Sequence, residues 1–542
     1  MPNADLPTIP DYLFLYGPPG VGKSTVALRL SQSLKLPCIQ LDAEIEKQAG
    51  CTIRDIFSIS GEAVFRQLEK QVLQETLKGP RAVIALGGGA LLDPENRQLA
   101  EAAGAVVCLI APLSTLVERI KAQPSRRPLL GLPDEPEEQL RARLSELMQQ
   151  RQAHYDSFPL QVSTSRRSAE EVSWDIQVQL GCFHIYSMPG RLASGYSICA
   201  RTGSLQDLGA HLQRLKVHDP VAVVADETVA QLYGKLVLES LTEAGCSAHM
   251  VTFRPGETSK TLDTINSLWQ DFLTHGMERR STVVALGGGV TNDLAGFAAS
   301  TYLRGMHWIA APTTLLGMAD AAIGGKTGFD LPQGKNLVGS FYPPRLVLAD
   351  LNTLKTLPEP ELRAGLAEVV KTGLIGDEAL FNLCCQGWES VMQSLDQIVR
   401  RSMAVKIRLV QADPDERSQR AALNLGHTIG HAVEKASDYR LRHGEAVAIG
   451  LVAEARLAEQ QKVARGGLAK RIEACLSGLG LPTQIPEEIA PQAIIQAVGV
   501  DKKRLGGSPR FSLPLRPGRV QVGILIPDWE RNLFNQKEQG GI

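Results

Sequence analysis

Two groups of residues in this chain have the types and spacing for chemistry, and they imply different chemistries. The first is Gly17-Pro-Pro-Gly20-Val-Gly22-Lys23-Ser24-Thr25. A glycine-rich loop lets backbone N–H groups point inward, and a helix that follows it aims its N-terminus at the same point, so the pair cradles phosphates. Lys23 would bridge the outer phosphates of a nucleotide and Ser24 would hold Mg²⁺. The second group lies far downstream: Asn424-Leu-Gly-His427-Thr-Ile-Gly-His431, then His443-Gly-Glu445. His427 and His431 are four apart and share one face of a helix, a spacing that suggests two zinc ligands. Thr follows His427, so the protease motif is excluded. Glu368, in Gly365-Leu-Ala-Glu-Val-Val-Lys371, could supply an oxygen ligand, and His443 would close a three-ligand set with a position open for substrate. Nucleotide-dependent phosphoryl transfer and metal-assisted chemistry do not share a site, so the pattern predicts two enzymes in one polypeptide.

The elements that must position these residues are legible in outline. Tyr12–Tyr16, Ala82–Leu86 and Ala105–Ile110 are apolar strand candidates, and Lys23–Leu34 continues as a helix. Strands separated by helices predict a parallel sheet covered on both faces. This first domain is expected over 1–178, with a weakly patterned linker at 179–190. A second α/β pattern, with strand candidates Val221–Ala225 and Thr282–Leu286, is expected over 191–340. Leu362–Ile375, Leu395–Ala412 and Ala446–Gln461 carry helical spacing, which predicts a mostly α-helical domain over 341–542. The expected fold is therefore α/β throughout its first two domains: a P-loop kinase-like parallel sheet, a Rossmann-like domain, then helices.

Bulk properties set the outer limits. A chain of 542 residues exceeds one ordinary core. With 44% apolar and 21% charged residues it is globular, and a formal net charge of −1 argues against a general nucleic-acid binder. The nine cysteines include no CxxC pair, as expected of thiols in a reducing cytoplasm. No apolar run approaches the roughly 20 residues needed to span a bilayer, and no signal peptide is apparent. A soluble cytoplasmic protein with small-molecule substrates, and no nucleic acid or membrane partner, is expected.

Over residues 8–175 the chain resembles the shikimate kinases. The resemblance rests on the phosphate loop, Leu41-Asp42-Ala-Glu-Ile-Glu46, Gly61-Glu-Ala-Val-Phe-Arg66, Leu86-Gly-Gly-Gly89, Arg127-Pro-Leu-Leu130 and Arg151-Gln-Ala-His-Tyr155. It implies that Gly17, Gly20, Gly22, Lys23, Ser24 and Thr25 bind ATP. Asp42 would orient the attacking hydroxyl, Arg66 and Arg151 would clamp the shikimate carboxylate, and Gly88 would offer backbone to the substrate. Arg127 would approach the transferring phosphoryl group from a lid at 124–136, and Arg119 would stack on adenine. One departure is Gln40, where the family usually carries a second acidic residue.

Over residues 188–525 the chain resembles the 3-dehydroquinate synthases. The motifs are Pro255-Gly-Glu257-Thr-Ser-Lys260, Leu286-Gly-Gly-Gly289 with Asp293, Tyr302-Leu-Arg304-Gly, Pro312-Thr-Thr-Leu-Leu316, Asp320-Ala-Ala-Ile-Gly-Gly-Lys326 and Gly334-Lys335-Asn336. Glu368, Lys371, Lys406, Arg420, Asn424, the histidines and Asp501-Lys502-Lys503 continue the match. The resemblance implies Zn²⁺ or Co²⁺ on Glu368, His427 and His443, and turns His431 towards the substrate, which revises the spacing argument. It implies NAD⁺ on Glu257, Lys260, Gly288, Gly289, Asp293, Thr313, Thr314, Lys326 and Lys335. A heptulosonate phosphate would be held by Arg304, Asp320, Lys326, Asn336, Lys371, Lys406, Arg420, Asn424, His431 and Lys502, with Lys326 and His431 catalytic. It also implies a homodimer through this half. Asn292 stands where the family commonly has Gly, and a left-handed backbone at Asn would preserve the turn; Phe329-Asp330 also departs from the usual sequence. Two other readings compete: a sugar-phosphate cyclase whose substrate lacks the carboxylate, against which Lys406 and Arg420 argue, and a degraded kinase-like module that regulates the synthase.

Overall fold

The computed structural model describes residues 10–122, 136–186, 195–505 and 509–534, apart from the side chains of His218 and residues 500–505. The chain divides into two compact units, Met1–His184 and Ile185–Ile542.

In the first unit the strands β1 (Tyr12–Tyr16), β2 (Cys38–Gln40), β3 (Ala82–Ala85), β4 (Gly104–Ile110) and β5 (Gln161–Ser163) form one parallel sheet in the order β2-β3-β1-β4-β5. Every residue of β1 is buried. Alternation sends Tyr12, Phe14 and Tyr16 into the core on one face and Leu13 and Leu15 into the core on the other. A strand covered on both faces must be apolar at every position, so β1 reads as an unbroken apolar run. β2 and β5 have three residues each, too few to leave a pattern, and escape detection from sequence. β1 lies between β3 and β4, so the strand order reverses there; ligands of parallel α/β sheets bind beyond the strand ends at such a point.

The division falls at the end of β6 (Cys182–Ile185), and the second unit is built on a sheet of β7 (Tyr196–Arg201), β8 (His218–Asp226), β9 (Ala248–Phe253), β10 (Ser281–Gly287), β11 (His307–Pro312) and, after the hairpin of β12 (Lys326–Leu331) and β13 (Gly334–Phe341), β14 (Leu346–Asp350). Within this unit the order is β7-β14-β11-β10-β8-β9, and all these pairs are parallel. The order reverses between β8 and β10, so the end of β10 is again the expected ligand crevice. Helices dominate from Glu359 onward, notably Glu359–Gly376, Leu395–Ala412, His427–Ala436 and His443–Gln460.

Several details differ from the sequence expectations. β14 lies beyond residue 340, because its five buried residues fill the gap between β7 and β11. An antiparallel hairpin, β15 (Arg510–Arg516) and β16 (Arg519–Leu525), interrupts the helical region. Helix Ala169–Leu180 and strand β6 occupy much of the stretch read as a linker. All nine cysteines are free thiols. Among the described residues no helix is long and apolar enough to cross a membrane.

Candidate active sites

The loop after β1 delivers the first site. Gly17 has φ 131°, and a Cβ there would lie 2.3 Å from the carbonyl oxygen of Leu109, so only glycine fits. Helix Lys23–Leu34 has no side-chain cap and no carboxylate in its first turn, which leaves its leading N–H groups directed at the loop. Lys23 donates from Nζ to the carbonyls of Gly17 (2.7 Å) and Pro18 (3.1 Å). Ser24 and Thr25 are exposed at the mouth.

The turn Gly87–Gly89 after β3 is where the other predicted residues converge. A Cβ at Gly88 would lie 3.3 Å from the carbonyl oxygen of Gly17, so this turn abuts the phosphate loop. Asp42, exposed at the start of helix Leu41–Ala49, reaches within 3.2 Å of the Cβ position of Gly87. Arg66 reaches within 2.8 Å of that of Gly89, and Arg151 donates to the Gly88 carbonyl at 3.2 Å. Helix Ile53–Thr76 breaks at Gly61, and its second half aims Arg66 at the turn.

Sequence reasoning missed the residue that aims it. Glu69, 1% exposed, pairs with Arg66 Nη1 at 2.7 Å. Burial pushes the Glu69 carboxyl above the usual carboxylate range, against the pull of Arg66. The Arg66–Glu69 spacing of three was a readable signal, since such residues neighbour on a helix. Tyr155 also went unread; its hydroxyl donates to the Gly88 carbonyl at 2.9 Å beside Arg151. Arg119 donates to the Val21 carbonyl (3.1 Å) and to the Thr164 hydroxyl and carbonyl (2.8 and 2.7 Å), which ties the phosphate loop to the end of β5. Arg127 lies outside the described residues, as does the expected lid but for Pro136.

In the second unit β10 ends in Gly287, and helix Gly289–Thr301 starts two residues later with no side-chain cap. Asn292 does not adopt the left-handed backbone expected of it. It lies inside this helix, 1% exposed, and its amide donates to the carbonyls of Gly287 (3.3 Å) and Gly288 (2.8 Å). A side chain that closes the turn replaces the conformational freedom of glycine. Thr313 donates its N–H to Gly287 at 3.0 Å, and Thr314 packs 3.0 Å from the Cβ position of Gly288. Asp293 pairs with buried Lys260 at 2.6 Å, and burial pushes its carboxyl up in spite of that pairing. Lys260 also donates to Asn336, and Asp330 accepts from the Asn336 N–H at 2.7 Å. Asn336, assigned above to the phosphate substrate, thus joins the Lys260–Asp293 cluster, and the unusual Asp330 supports it.

Three helices bring the metal candidates together. Glu368 lies on Glu359–Gly376, and His427 and His443 each begin a helix. A Cβ at Gly444 would lie 1.9 Å from the carbonyl oxygen of Ala364, so glycine beside His443 lets that helix close on the one carrying Glu368. His427 Nε2 lies 3.5 Å and His443 Nε2 3.4 Å from Glu368 Oε1. Glu368 is 1% exposed; its Oε2 pairs with Lys371, which leaves Oε1 to the two imidazoles. His431 is exposed beside them, its ring centroid 4.9 Å from that of His427 and 5.6 Å from that of His443.

Two further carboxylates hold this arrangement, and neither was read from sequence. Glu434 contacts His443 Nδ1 at 3.2 Å and accepts from Lys335 at 3.0 Å; Lys335 in turn lies 3.7 Å from Glu257. Burial pushes the Glu434 carboxyl up, but His443 and Lys335 outweigh it and hold it at about 2. Burial pushes His443 down, but Glu368 and Glu434 outweigh it and raise the imidazole to about 9. Glu454, wholly buried, accepts from the N–H groups of Gly426 (2.6 Å) and Ile429 (3.2 Å) and so caps the helix of His427; burial raises it to about 8.

The predicted substrate residues are brought together unevenly. Lys406 is buried and pairs with Asp320. Burial pushes Asp320 up, but Lys406 and Lys371 outweigh it and hold it at about 2, so Asp320 belongs to the field around Lys371 and Glu368. Arg420, 1% exposed, donates to the Pro414 carbonyl at 2.9 Å and crowds Gly324. Lys326 is half-exposed and pairs with Glu416. Arg304 and Asn424 are exposed, and no hydrogen bond or ion pair among the described residues ties either to the network. Lys502 falls on helix Pro491–Leu505, its side chain outside the described residues.

Residues 19–180 match the shikimate kinase family; residues 250–364 and 365–504 match the N-terminal and C-terminal parts of 3-dehydroquinate synthase. The 3-dehydroquinate synthase of Crocosphaera subtropica is 41% identical over 62% of this chain and 93% of its own length. That of Symbiobacterium thermophilum is 45% identical over 61% and 94%. Two solved structures share the fold of the second unit. A 2-epi-5-epi-valiolone synthase from Streptomyces hygroscopicus subsp. jinggangensis, with NAD⁺ and Zn²⁺ bound, has a TM-score of 0.58 at 28% identity over 64% of this chain and 96% of its own. A 2-deoxy-scyllo-inosose synthase with carbaglucose-6-phosphate, NAD⁺ and Co²⁺ has a TM-score of 0.58 at 26% identity over 65% and 99%. Family models and relatives agree on both halves: the chain belongs to the 3-dehydroquinate synthase family and carries a shikimate kinase domain ahead of it, a transferase and a lyase of the shikimate pathway in one polypeptide.

Proposed function

We propose that the first unit moves the γ-phosphoryl group of ATP to a hydroxyl of shikimate, and that the second converts 3-deoxy-D-arabino-heptulosonate 7-phosphate to 3-dehydroquinate and phosphate. In the first, Lys23 and the N–H groups of Gly20, Gly22 and the helix start hold phosphates, and Ser24 holds Mg²⁺. Arg66 and Arg151 face the substrate carboxylate from two sides of the Gly87–Gly89 turn, and Asp42 takes the proton of the attacking hydroxyl. The contact between that turn and Gly17 supports this, because phosphate and acceptor must meet in line. Arg127 belongs to the proposal by sequence alone.

In the second unit the donor set fits a divalent ion. Buried Glu368 pairs through Oε2 with Lys371 and turns Oε1 to two imidazole Nε2 atoms. A cation there would replace the proton that the two carboxylates hold on His443. The turn Gly287–Gly289, closed by Asn292, fits a dinucleotide pyrophosphate, with Asp293 and Lys260 beyond it. When bound, the ion supplies polarisation of a hydroxyl, and NAD⁺ a hydride acceptor restored within the same turnover. The chain's own residues do the rest. Lys371, Lys406 and Arg420 offer positive charge to phosphate and carboxylate, and His431, exposed beside the set, handles the substrate's protons. A homodimer through this half and a cytoplasmic location belong to the same reading, by family resemblance and free thiols. The observation that carries the proposal is the Glu368–His427–His443 geometry. Phosphate release and NADH absorbance, followed together on the full chain, test it. Release should require NAD⁺ without consuming it; stoichiometric NADH, or release from cofactor-stripped protein without added NAD⁺, would refute the internal redox cycle.

A further inference from the structure

A second set of metal donors lies outside both sites. His249 is on β9, an edge strand of the second unit's parallel sheet, and Asp271 and His275 are on and just after helix Leu262–Thr274. His249 Nε2 lies 3.0 Å and His275 Nδ1 3.2 Å from the same oxygen, Asp271 Oδ1. The ligand atoms of the three residues are all within 4.8 Å of one another. This is the composition of the Glu368–His427–His443 set, one carboxylate and two imidazoles, and both ring nitrogens again face one carboxylate oxygen, there at 3.4 and 3.5 Å. Donors about 2.0–2.2 Å from a tetrahedral ion lie roughly 3.3–3.5 Å apart, close to the spacings from the Asp271 oxygen, so rotation of one imidazole would complete the set.

The surroundings favour a cation. The two imidazoles stack with centroids 3.9 Å apart and planes 14° apart. Two protonated rings in that geometry would repel, whereas a divalent ion that turns one ring out of the stack would meet both ring lone pairs and the carboxylate. The site sits at the C-terminal end of a helix, where the backbone carbonyls add negative potential. His275 Nδ1 also contacts the Asp271 carbonyl at 3.0 Å, so binding exchanges that hydrogen bond for a metal ligand. The side chains are 18%, 25% and 43% exposed, open enough to admit an ion and leave water in its remaining positions.

We propose that His249, Asp271 and His275 form a second binding site for a divalent transition ion of the Zn²⁺ or Co²⁺ class, pinning the edge strand β9 to the end of helix Leu262–Thr274. The proposal does not rest on the catalytic assignment. Co²⁺ titrated into chelator-stripped full-length protein, with bound metal counted after desalting, tests it. Wild type should bind two ions per chain; His249→Ala and Asp271→Asn should each bind one fewer, with synthase turnover within about twofold of wild type as the check on folding. His427→Ala should remove the other ion, and its double variant with His249→Ala should bind none. If both His249→Ala and Asp271→Asn bind as many ions as wild type, whatever the wild-type count, the site is refuted. A full count in His427→Ala counts instead against the catalytic metal set.

Discussion

Removing the Glu434 carboxylate should weaken metal binding in the synthase unit although Glu434 is not itself a proposed ligand. It is 5% exposed and holds His443 by Nδ1 at 3.2 Å and Lys335 at 3.0 Å, both charge-assisted contacts. A partner on the far nitrogen fixes the tautomer and the angle of a ligating imidazole, and losing such a partner typically costs about 10–100-fold in metal affinity. That corresponds to about 1.4–2.7 kcal/mol, which agrees with the roughly 1.5–3 kcal/mol of one hydrogen bond to a charged group. Glu434→Ala should fall across this range. Glu434→Gln, which still accepts from Nδ1–H but lacks charge, should fall near its lower end. Because Lys335 loses the same partner, NAD⁺ affinity should fall as well, which a purely local effect on His443 would not produce. Metal affinity is read by competition against a chromophoric chelator, NAD⁺ binding by titration, and folding by thermal melting. A natively folded Glu434→Ala with metal affinity within twofold of wild type would refute the positioning role.

Lys23→Ala should abolish kinase turnover and leave synthase turnover within about twofold, since Lys23 donates to the phosphate-loop carbonyls of Gly17 and Pro18; parallel assays decide, and a matching fall in both activities contradicts independent units. Arg66→Lys should raise the KM for shikimate with little change in that for ATP, a loss of roughly 1–3 kcal/mol, because lysine cannot keep the fork that serves Glu69 and a carboxylate together; an unchanged shikimate KM removes Arg66 from the clamp. Metal content should drop sharply in His427→Ala and His443→Ala and much less in His431→Ala, and equal loss by elemental analysis in all three would restore the i,i+4 pair as ligands.

Sequence by itself determined the chemistry types, their order and the covered strands. Gly17–Ser24 is legible because phosphate binding depends on consecutive backbone groups, and β1 because a doubly buried strand must be apolar throughout. Glu368, His427, His431 and His443 were legible as metal candidates by residue type, but the spacing favoured the His427–His431 pair, and only the family resemblance singled out Glu368, His427 and His443. The sequence could not show that Asn292 closes the Gly287–Gly288 turn with its side chain, since a helical Asn and a left-handed Asn look alike in a string of letters. Only the tertiary structure decided which of many carboxylates serve the sites. Glu69, Glu434 and Glu454 sit in helices as common as any surface glutamate, yet each is buried with partners. Glu454 contacts Gly426 across 28 positions of chain, and Asp271 meets His249 across 22. Such pairings have no period and no motif. They come from which faces of helices and strands are pressed together once the apolar positions are buried, and that is a property of the folded packing.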